Sequence, residues 1–536
     1  MEHLEQRTKI AIMIAIMSTV LFSSINMTIV GTSLPKIIAQ IGGMEYFDWV
    51  FTAYMLSATV TAMLVGKLSD MYGRKVFILI GIVVFMTGAF FCGTSDNIYQ
   101  LILFRTLQGF GGGMIMSSAF ATVGDLFSPR ERGRWQGLLG ATFGLSSVVG
   151  PTLGGYIVDN FDWHWVFWIF LPIGFLAFTL IWRLYPKHDQ VVKEKIDYLG
   201  SISLSIFIIS LLLGFSWAGS KYEWGSAPII GLFSLAAFSI LAFIFIEKRA
   251  KSPILPLFLF RNSTFTLSNI AGFLIGMGMF VVIMYTPFYV QGVLGRSATV
   301  SGLVELVITI TMVISSIIVG QLITKFGRYK ALAVLGTSLM AVGLYLNSYL
   351  TATSPLTQML VNLVIIGLGL GITMPVFTIS IQNSVKHKYL GVSTSVMQVS
   401  RQIGGTIGVA MMSMIMGNRM EDRLQDSLPP QEPLPSLGDE MNVQDPRLLM
   451  DPGQLENIRS GLPSTLEPAF DTVITTLREA LSYSVTSIFF ISSIIITVAA
   501  FITLFIKEIP LRTSNIDEDE TDNNDDVILK VAEQNT

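Results

Sequence analysis

The feature that most constrains this chain is the recurrence of long apolar runs. A transmembrane helix needs about 20 consecutive apolar residues, and about fourteen runs in the 536-residue chain approach that length. Only 13% of the residues are charged, too few to cover a soluble protein of this size. The sequence therefore predicts an all-α polytopic membrane protein, with helices near residues 10 to 30, 48 to 65, 76 to 93, 99 to 121, 135 to 157, 163 to 183, 198 to 218, 226 to 246, 265 to 290, 300 to 323, 331 to 350, 354 to 380, 392 to 416 and 484 to 506.

Lysine and arginine concentrate in alternate loops between these runs. An excess of positive charge in short loops is typical of the cytoplasmic side of a membrane. The loops with this excess contain Lys67, Arg74, Lys75, Arg130, Arg132, Arg134, Arg183, Lys248, Arg249, Lys325, Arg328 and Lys330. With an even number of helices, both termini are predicted to lie in the cytoplasm and the protein in the plasma membrane.

The residues typical of enzymes and metalloproteins are missing from the sequence pattern. The single cysteine, Cys92, lies in an apolar run and excludes an internal disulfide. The four histidines are scattered without metal-ligand spacing, and no Walker A pattern is present. We expect neither an enzyme nor an ATPase, with no metal and no nucleic-acid partner.

The chain is predicted to divide into six regions, two of which are not membrane segments. A proline-rich acidic loop joins the last two runs outside the cell, and the tail carries the acidic run DEDETDNNDD, typical of a disordered end. The predicted regions are an N-terminal six-helix half (1–183), two inserted helices with linkers (184–262), five helices of the C-terminal half (263–416), the extracellular loop (417–482), the last helix (483–507) and the disordered cytoplasmic tail (508–536).

A short motif occurs twice and indicates two related halves. Residues 66–75 read GKLSDMYGRK after the second run, and residues 320–328 read GQLITKFGR after the tenth. Parallel repeats of this kind are typical of secondary transporters, whose substrate sites lie between the halves near the midplane. The second copy has Thr324 in the position that corresponds to Asp70. We therefore expect a weaker electrostatic interaction at the second copy of the motif than at the first.

The fifth run carries glycines at nearly helical spacing. Small residues on one face allow close approach of a second helix in lipid, and a proline within the run predicts a bend. The alternative is an ordinary helix-packing face with a proline kink, which would show the same pattern of residues. The residues concerned are Gly140, Gly144, Gly150, Pro151, Gly154 and Gly155.

These motifs resemble those of the major facilitator superfamily, in particular its fourteen-helix drug:proton antiporter branch of EmrB/QacA-like multidrug efflux transporters. The glycine-proline run resembles the antiporter motif, and residues 66–75 resemble the loop signature. Arg105 with Gln108 and Gly109 is similar to the fourth-helix motif. The resemblance implies two six-helix halves with two inserted helices, and proton-driven export by alternating access without a cofactor.

The predicted coupling residues are Glu305 and Arg105. The branch usually has an aspartate on helix one, where this chain has Asn26, which cannot titrate. Keeping Glu305 ionised inside the membrane costs several kcal/mol unless the carboxylate is paired or hydrated. A carboxylate that is readily protonated in this way suits a proton carrier. The resemblance links Arg105 to proton coupling. For both residues a purely structural role remains open.

Three charged residues at the cytoplasmic side form a second predicted set. The resemblance implies that Asp70, Arg74 and Asp125 act as a latch between the halves, because carboxylates and an arginine can exchange partners when helices move. The alternative is that these three residues only position the loops at the helix ends and do not act as a latch. Arg401, about two turns into the thirteenth run, can either snorkel to the interface or contact substrate.

Aromatic, amide and methionine side chains are candidates for an adaptable substrate cavity. Those predicted to line it are Asn26, Tyr54, Met114, Tyr289, Gln291, Met374, Phe377 and Met397.

The sequence thus favours a proton-coupled exporter of amphipathic drugs or related small molecules. Its expected partners are that substrate, protons and the lipid bilayer, and we expect a monomer. A flippase for lipids or lipid-linked precursors, and a proton-coupled nutrient symporter, are the alternatives. The glycine-rich antiporter motif argues against the symporter.

Overall fold

The computed structural model describes residues 4–186, 196–427, 449, 455, 459–460 and 467–511. Those residues form helices joined by short connections, and none of them belongs to a β-strand. The linker 187–195, most of the predicted 417–482 loop and the tail beyond residue 511 lie outside the described residues. The helices are α1 Gln6–Ile41, α2 Phe47–Tyr72, α3 Arg74–Cys92, α4 Ile98–Leu126, α5 Arg132–Asn160, α6 Trp165–Trp168, α7 Leu171–Leu184, α8 Tyr198–Trp217, α9 Ala227–Glu247, α10 Ser263–Pro287, α11 Ala298–Phe326, α12 Lys330–Asn347, α13 Leu356–Asn383, α14 Leu390–Ser427 and α15 Glu467–Leu504.

Twelve helical segments in the described part of the chain are long and apolar enough to cross a membrane. This set treats α6 and α7 as one segment and does not contain α4 or α14. Helix α4 carries Arg105, helix α14 carries Arg401, Arg419 and Arg423, and both contain several glycines, which lower their hydropathy. The predicted polytopic all-helical class is confirmed, whereas the number fourteen is not.

Several helix boundaries differ from the predicted runs. The run 163–183 is broken before Leu171, where Pro172 occupies the first turn of α7. Helix α14 continues to residue 427 and α15 begins at residue 467, so both ends of the predicted outer loop are helical. Helices α1 and α5 each continue through an internal proline, Pro35 and Pro151.

Two hydrophobic cores lie on either side of the linker after α7. The buried members of the first core come from α1 to α7, ending at Tyr185. The second core is built from residues 204 onward, together with Val60 and Met63 of α2. We call the corresponding helix groups, α1–α7 and α10–α15, the first and second halves.

The halves meet along two seams. The first seam joins α2 to α14, and the second joins α5 to α11. The hairpin α8–α9 packs against the outside of the first seam, where Trp217 meets Trp49 edge-on at 5.5 Å. We call the end of the bundle where α2 ends and α3 begins the basic end, since Arg74, Arg130 and Arg328 lie there.

Candidate functional site

At the basic end, the first seam brings the predicted charged set together. Asp70, near the end of α2, accepts hydrogen bonds from the backbone N–H groups of Gly391 (2.9 Å) and Val392 (3.0 Å). These are the first residues of α14, whose N–H groups have no partner within the helix. Arg74 pairs with Asp70 (2.9 Å) and with Asp125 of α4. The cluster thus connects the first half to the N-terminus of a helix in the second half.

His387 joins this cluster, although the sequence analysis did not identify it. It lies just before α14, and its Nε2 is 3.4 Å from Asp125 Oδ1. Desolvation lowers the pKa of His387 below its ordinary value, while the charge of Asp125 acts in the opposite direction. A lone histidine in a loop has no sequence signal that would place it against a carboxylate of the other half.

The second seam closes at the basic end by backbone contact. A Cβ on Gly133 of α5 would stand 2.7 Å from the carbonyl oxygen of Gly320 of α11, so the two backbones touch. Arg130 donates from Nε to Thr324 O (2.8 Å) and from Nη2 to Lys325 O (2.9 Å). The side chain of Arg130 thus binds the last carbonyl groups of α11.

Polar side chains connect the halves one to two helical turns further into the bundle. Ser117 of α4 and Ser395 of α14 share a hydrogen bond of 2.7 Å. Gln136 and Gln382 both donate to the carbonyl oxygen of Phe120, at 3.2 and 3.3 Å. We call these five residues the floor. The sequence analysis missed them, because serine and glutamine in apolar helices indicate polarity but not a partner.

Beyond the floor, contacts between the halves become sparse. Among the described residues, the inter-half hydrogen bond farthest from the basic end joins Ser147 of α5 and Thr309 of α11 (3.2 Å). The halves are therefore held together from the basic end to the middle of the bundle.

The predicted glycine face of α5 is divided between two helices. A Cβ at Gly140 or Gly144 would contact side chains of α11. At Gly150 or Gly154 it would contact threonines of α1, while at Gly155 nothing lies within 4 Å. One half of α5 therefore forms the second seam, and the other half packs inside the first half of the molecule.

Arg105 lies fully buried within the first half. Its Nη1 donates to Asn26 Oδ1 (2.9 Å) and Gln108 Oε1 (2.8 Å), and its Nε donates to Val50 O (3.3 Å). Its guanidinium carbon stands 4.4 Å from the centre of the Tyr54 ring, a cation–π arrangement. Asn26 thus occupies the position of an acceptor for Arg105.

This buried cluster contains no carboxylate. Arg105 forms no ion pair with any described residue, and Nη2 of Arg105, Nδ2 of Asn26 and Nε2 of Gln108 donate to no described group. Both amide oxygens are directed at the guanidinium. The charge of Arg105 is therefore stabilised by neutral acceptors and an aromatic ring alone.

Glu305 lies on α11, separate from Arg105. Its side chain is partly exposed and forms no hydrogen bond or ion pair with a described residue. Thr309, one turn closer to the basic end, contacts Ser147 of α5. Glu305 therefore lies one turn beyond the last inter-half hydrogen bond of the second seam.

The predicted cavity residues fall into two groups. Tyr289, for example, is fully buried and donates to Thr351 O at 2.7 Å. Buried side chains offer almost no surface to a substrate in this conformation. The partly exposed residues are Met114, Gln291 and Met374, and the buried residues are Asn26, Tyr54, Tyr289, Phe377 and Met397.

Comparison with known proteins identifies the family. Residues 16–409 match the profile described as Major Facilitator Superfamily. The chain belongs to the major facilitator superfamily. It is 39% identical over 499 residues to the multidrug transporter protein MdtP of Bacillus subtilis (strain 168), covering 92% of each chain. It is 33% identical over 503 residues to multidrug resistance protein 3 of the same organism, covering 94% of this chain and 96% of that one.

Solved major facilitator structures share the fold. The proton:xylose symporter XylE bound to 6-bromo-6-deoxy-D-glucose has a TM-score of 0.59 at 13% identity, covering 94% of this chain and 97% of that one. The human organic anion transporter MFSD10 has a TM-score of 0.58 at 13% identity, covering 91% and 99%. As a major facilitator protein, the chain is a multi-pass membrane transporter of small molecules and not an enzyme.

Proposed function

We propose that this protein exports amphipathic drugs or related small molecules across the plasma membrane in exchange for protons. The observation that carries the proposal is the 39% identity to the multidrug transporter MdtP along 92% of both chains. The basic end faces the cytoplasm under the positive-inside rule, with both termini on that side. The protein acts as a monomer with fourteen spans and uses the proton gradient in place of a cofactor.

Alternating access follows from the two seams. The contacts at the basic end close the path to the cytoplasm in this conformation. Opening that end requires Asp70 to release the N-terminus of α14 and requires Gly133 to separate from Gly320. Asp70, Arg74 and Asp125 act as the latch, since each can exchange partners when the halves rock.

Glu305 is the proposed proton carrier. It is partly exposed, lacks a partner among the described residues and lies next to the second seam. One proton moving through about 100 mV supplies about 2.3 kcal/mol, enough to drive a modest concentration ratio. Arg105 keeps a positive charge in the first half that disfavours a second cation nearby.

The test is transport by the purified protein in proteoliposomes with an imposed pH gradient. A panel of amphipathic drugs is offered, and drug movement and proton release are recorded together. Drug movement against the proton flux supports antiport, whereas movement with the protons indicates a symporter, and lipid movement alone indicates a flippase.

Glu305→Gln is expected to bind drug but release no proton. The exposed Glu45→Gln serves as the matched control.

Asn26→Asp tests whether the first-helix position still belongs to the coupling path. The new carboxylate would stand 2.9 Å from Arg105 Nη1, so the variant is expected to fold. We expect more protons released per transported molecule. Unchanged stoichiometry in Asn26→Asp, Glu305→Gln and the double variant would remove both positions from the coupling mechanism.

A further inference from the structure

Arg401 lies on α14, farther from the basic end than the floor, and its backbone packs against Gly276 of α10. Ser395 of the same helix forms part of the floor through its 2.7 Å bond to Ser117. Arg401 follows Ser395 by six residues, which places its backbone about 9 Å farther from the basic end. Its side chain is only partly buried.

The guanidinium of Arg401 contacts a methionine of the neighbouring helix. Its Nη1 lies against the sulfur of Met374 on α13. Met374 precedes the floor residue Gln382 by eight residues, about 12 Å along the helix axis. Since α13 and α14 both reach the first half at the floor, the Arg401–Met374 pair lies above it, at the bottom of the inter-half space.

The contact excludes the snorkelling alternative for Arg401. Arg401 lies eleven residues from the start of α14 at Leu390, about 16 Å from the basic end and farther than an arginine side chain extends. Met374 lies farther still from that end. The side chain is therefore directed into the bundle and away from the interface.

The charge of Arg401 lacks an adequate acceptor. A guanidinium is always ionised and carries five N–H donors, whereas a thioether sulfur is a weak acceptor. Met374 is the one polar contact of Arg401 among the described residues, and no described carboxylate pairs with it. Arg105 differs, because three oxygen acceptors and a tyrosine ring surround it at zero exposure. A charge at this depth requires a partner or water.

We infer that Arg401 and Met374 form the polar end of the substrate site, which binds the carboxylate of an amphipathic acid. A guanidinium binds a carboxylate through two parallel N–H···O bonds, and a flexible thioether adapts to apolar bodies of different shape. The inference rests on the proposed export function and specifies its substrate class. It makes the protein selective for an anionic over a neutral form of the same molecule.

The test compares pyrenebutyrate with its methyl ester, which share the pyrene body and differ only at one end, where a neutral ester replaces the carboxylate. Binding to the purified full chain in lipid nanodiscs is measured by calorimetry at neutral pH, with empty nanodiscs subtracted. Wild-type protein is expected to bind the acid about tenfold more tightly than the ester, the size of a charge-assisted hydrogen bond. Equal affinity for the two compounds overturns the inference.

Variants separate recognition from folding. Arg401→Gln is expected to abolish the preference for the acid, whereas Arg401→Lys retains the charge and about a third of the preference, without the bidentate geometry. Arg419→Gln, on the exposed far part of α14, is the matched control and is expected to keep the full preference. An Arg401→Gln variant that still prefers the acid contradicts the inference, as does loss of preference in Arg419→Gln. If Arg401→Gln fails to fold, Arg401→Lys decides, since an undiminished preference there excludes bidentate binding.

The outcome is distinct from that of the proposed function. Proton-coupled export of other drugs with no preference for the acid would remove Arg401 from the site and leave the exporter standing. Arg401-dependent binding of the acid without any proton-coupled transport would support the site and refute the antiporter.

Discussion

The two seams close the basic end by opposite electrostatic means. In the first seam, the buried carboxylate of Asp70 binds the N–H groups that begin α14. In the second seam, the exposed Arg130 binds the carbonyl groups that end α11. Helix N-termini are partly positive and C-termini partly negative, so each seam places the complementary charge at a helix end.

One of the positions at which the two copies of the repeated motif differ explains why the second seam lacks the carboxylate. Where the first copy has Asp70, the second has Thr324, whose hydroxyl donates back to Gly320 O in its own helix (2.9 Å). Among the residues that the structure describes, the Thr324 side chain has no hydrogen-bond partner in the other half. At the basic end, the second seam is held by backbone contact and one surface arginine, whereas the first is held by buried charge.

The largest expected effect is steric and falls on the second seam. In Gly133→Ala the added methyl group would stand 2.7 Å from Gly320 O, so the closed basic end has to open. Overpacking costs about 1–3 kcal/mol, and we expect transport to fall by more than about tenfold. Gly231→Ala is the control, because nothing lies within 4 Å of that position. Normal transport by Gly133→Ala would mean that this backbone contact is not needed.

The next effect concerns the buried charge of the first seam. Asp70→Asn weakens the bonds to Gly391 and Val392, and hydrogen bonds to charged groups contribute about 1.5–3 kcal/mol. We expect turnover to fall about tenfold with drug affinity changed by less than about twofold, because the latch shifts populations without touching substrate. Asp48→Asn, exposed on the same helix, is the control. Lost affinity at normal turnover would argue against a latch.

A smaller effect is a pH dependence of the first seam. Desolvation, with Arg74 and Arg132, lowers the pKa of His387 in the closed seam, and Asp125 opposes this shift. A histidine released to solvent titrates near its ordinary value of about 6.5, so the closed state binds fewer protons than the open state. The closed seam therefore loses stability as pH falls through about 6.5. Labelling of Ser395→Cys in a Cys92→Ser background measures the opening.

The matching variant is His387→Gln. It is expected to remove the loss of closed-state stability near pH 6.5, where a histidine titrates. Persistence of the pH dependence in this variant would assign it to another group.

The smallest effect is expected for the exposed arginine of the second seam. Arg130→Gln removes two bonds from a side chain in solvent, where such interactions contribute about 0–1 kcal/mol. We expect transport to change by less than about threefold. An effect as large as that of Asp70→Asn would erase the distinction between the seams.

The family resemblance indicated the charged cluster but not the backbone groups that it binds. Asp70, Arg74 and Asp125 were identified together, and the structure places them in contact. Their bonds to the N-terminus of α14 join residues more than 300 positions apart in sequence, and no local pattern encodes such a pairing. His387 was missed for the same reason.

The sequence likewise indicated a close-packing face on α5 without its partners. Spacing identified Gly140 and Gly150 as members of one stripe, but one contacts α11 and the other α1. A glycine stripe specifies that a helix can approach closely. The relative tilt of the surrounding helices decides which one does.

The sequence by itself determined the membrane class, the duplicated plan and the family, because hydropathy, repeat motifs and spacing are properties of local segments. Tertiary structure alone decided that Arg105 is enclosed by Asn26 and Gln108 while Arg401 stays partly exposed beside Met374. Both arginines look alike in sequence, as single charges in apolar helices. The available acceptors and the exposure of each guanidinium depend on neighbouring helices, and those are set only when the bundle packs.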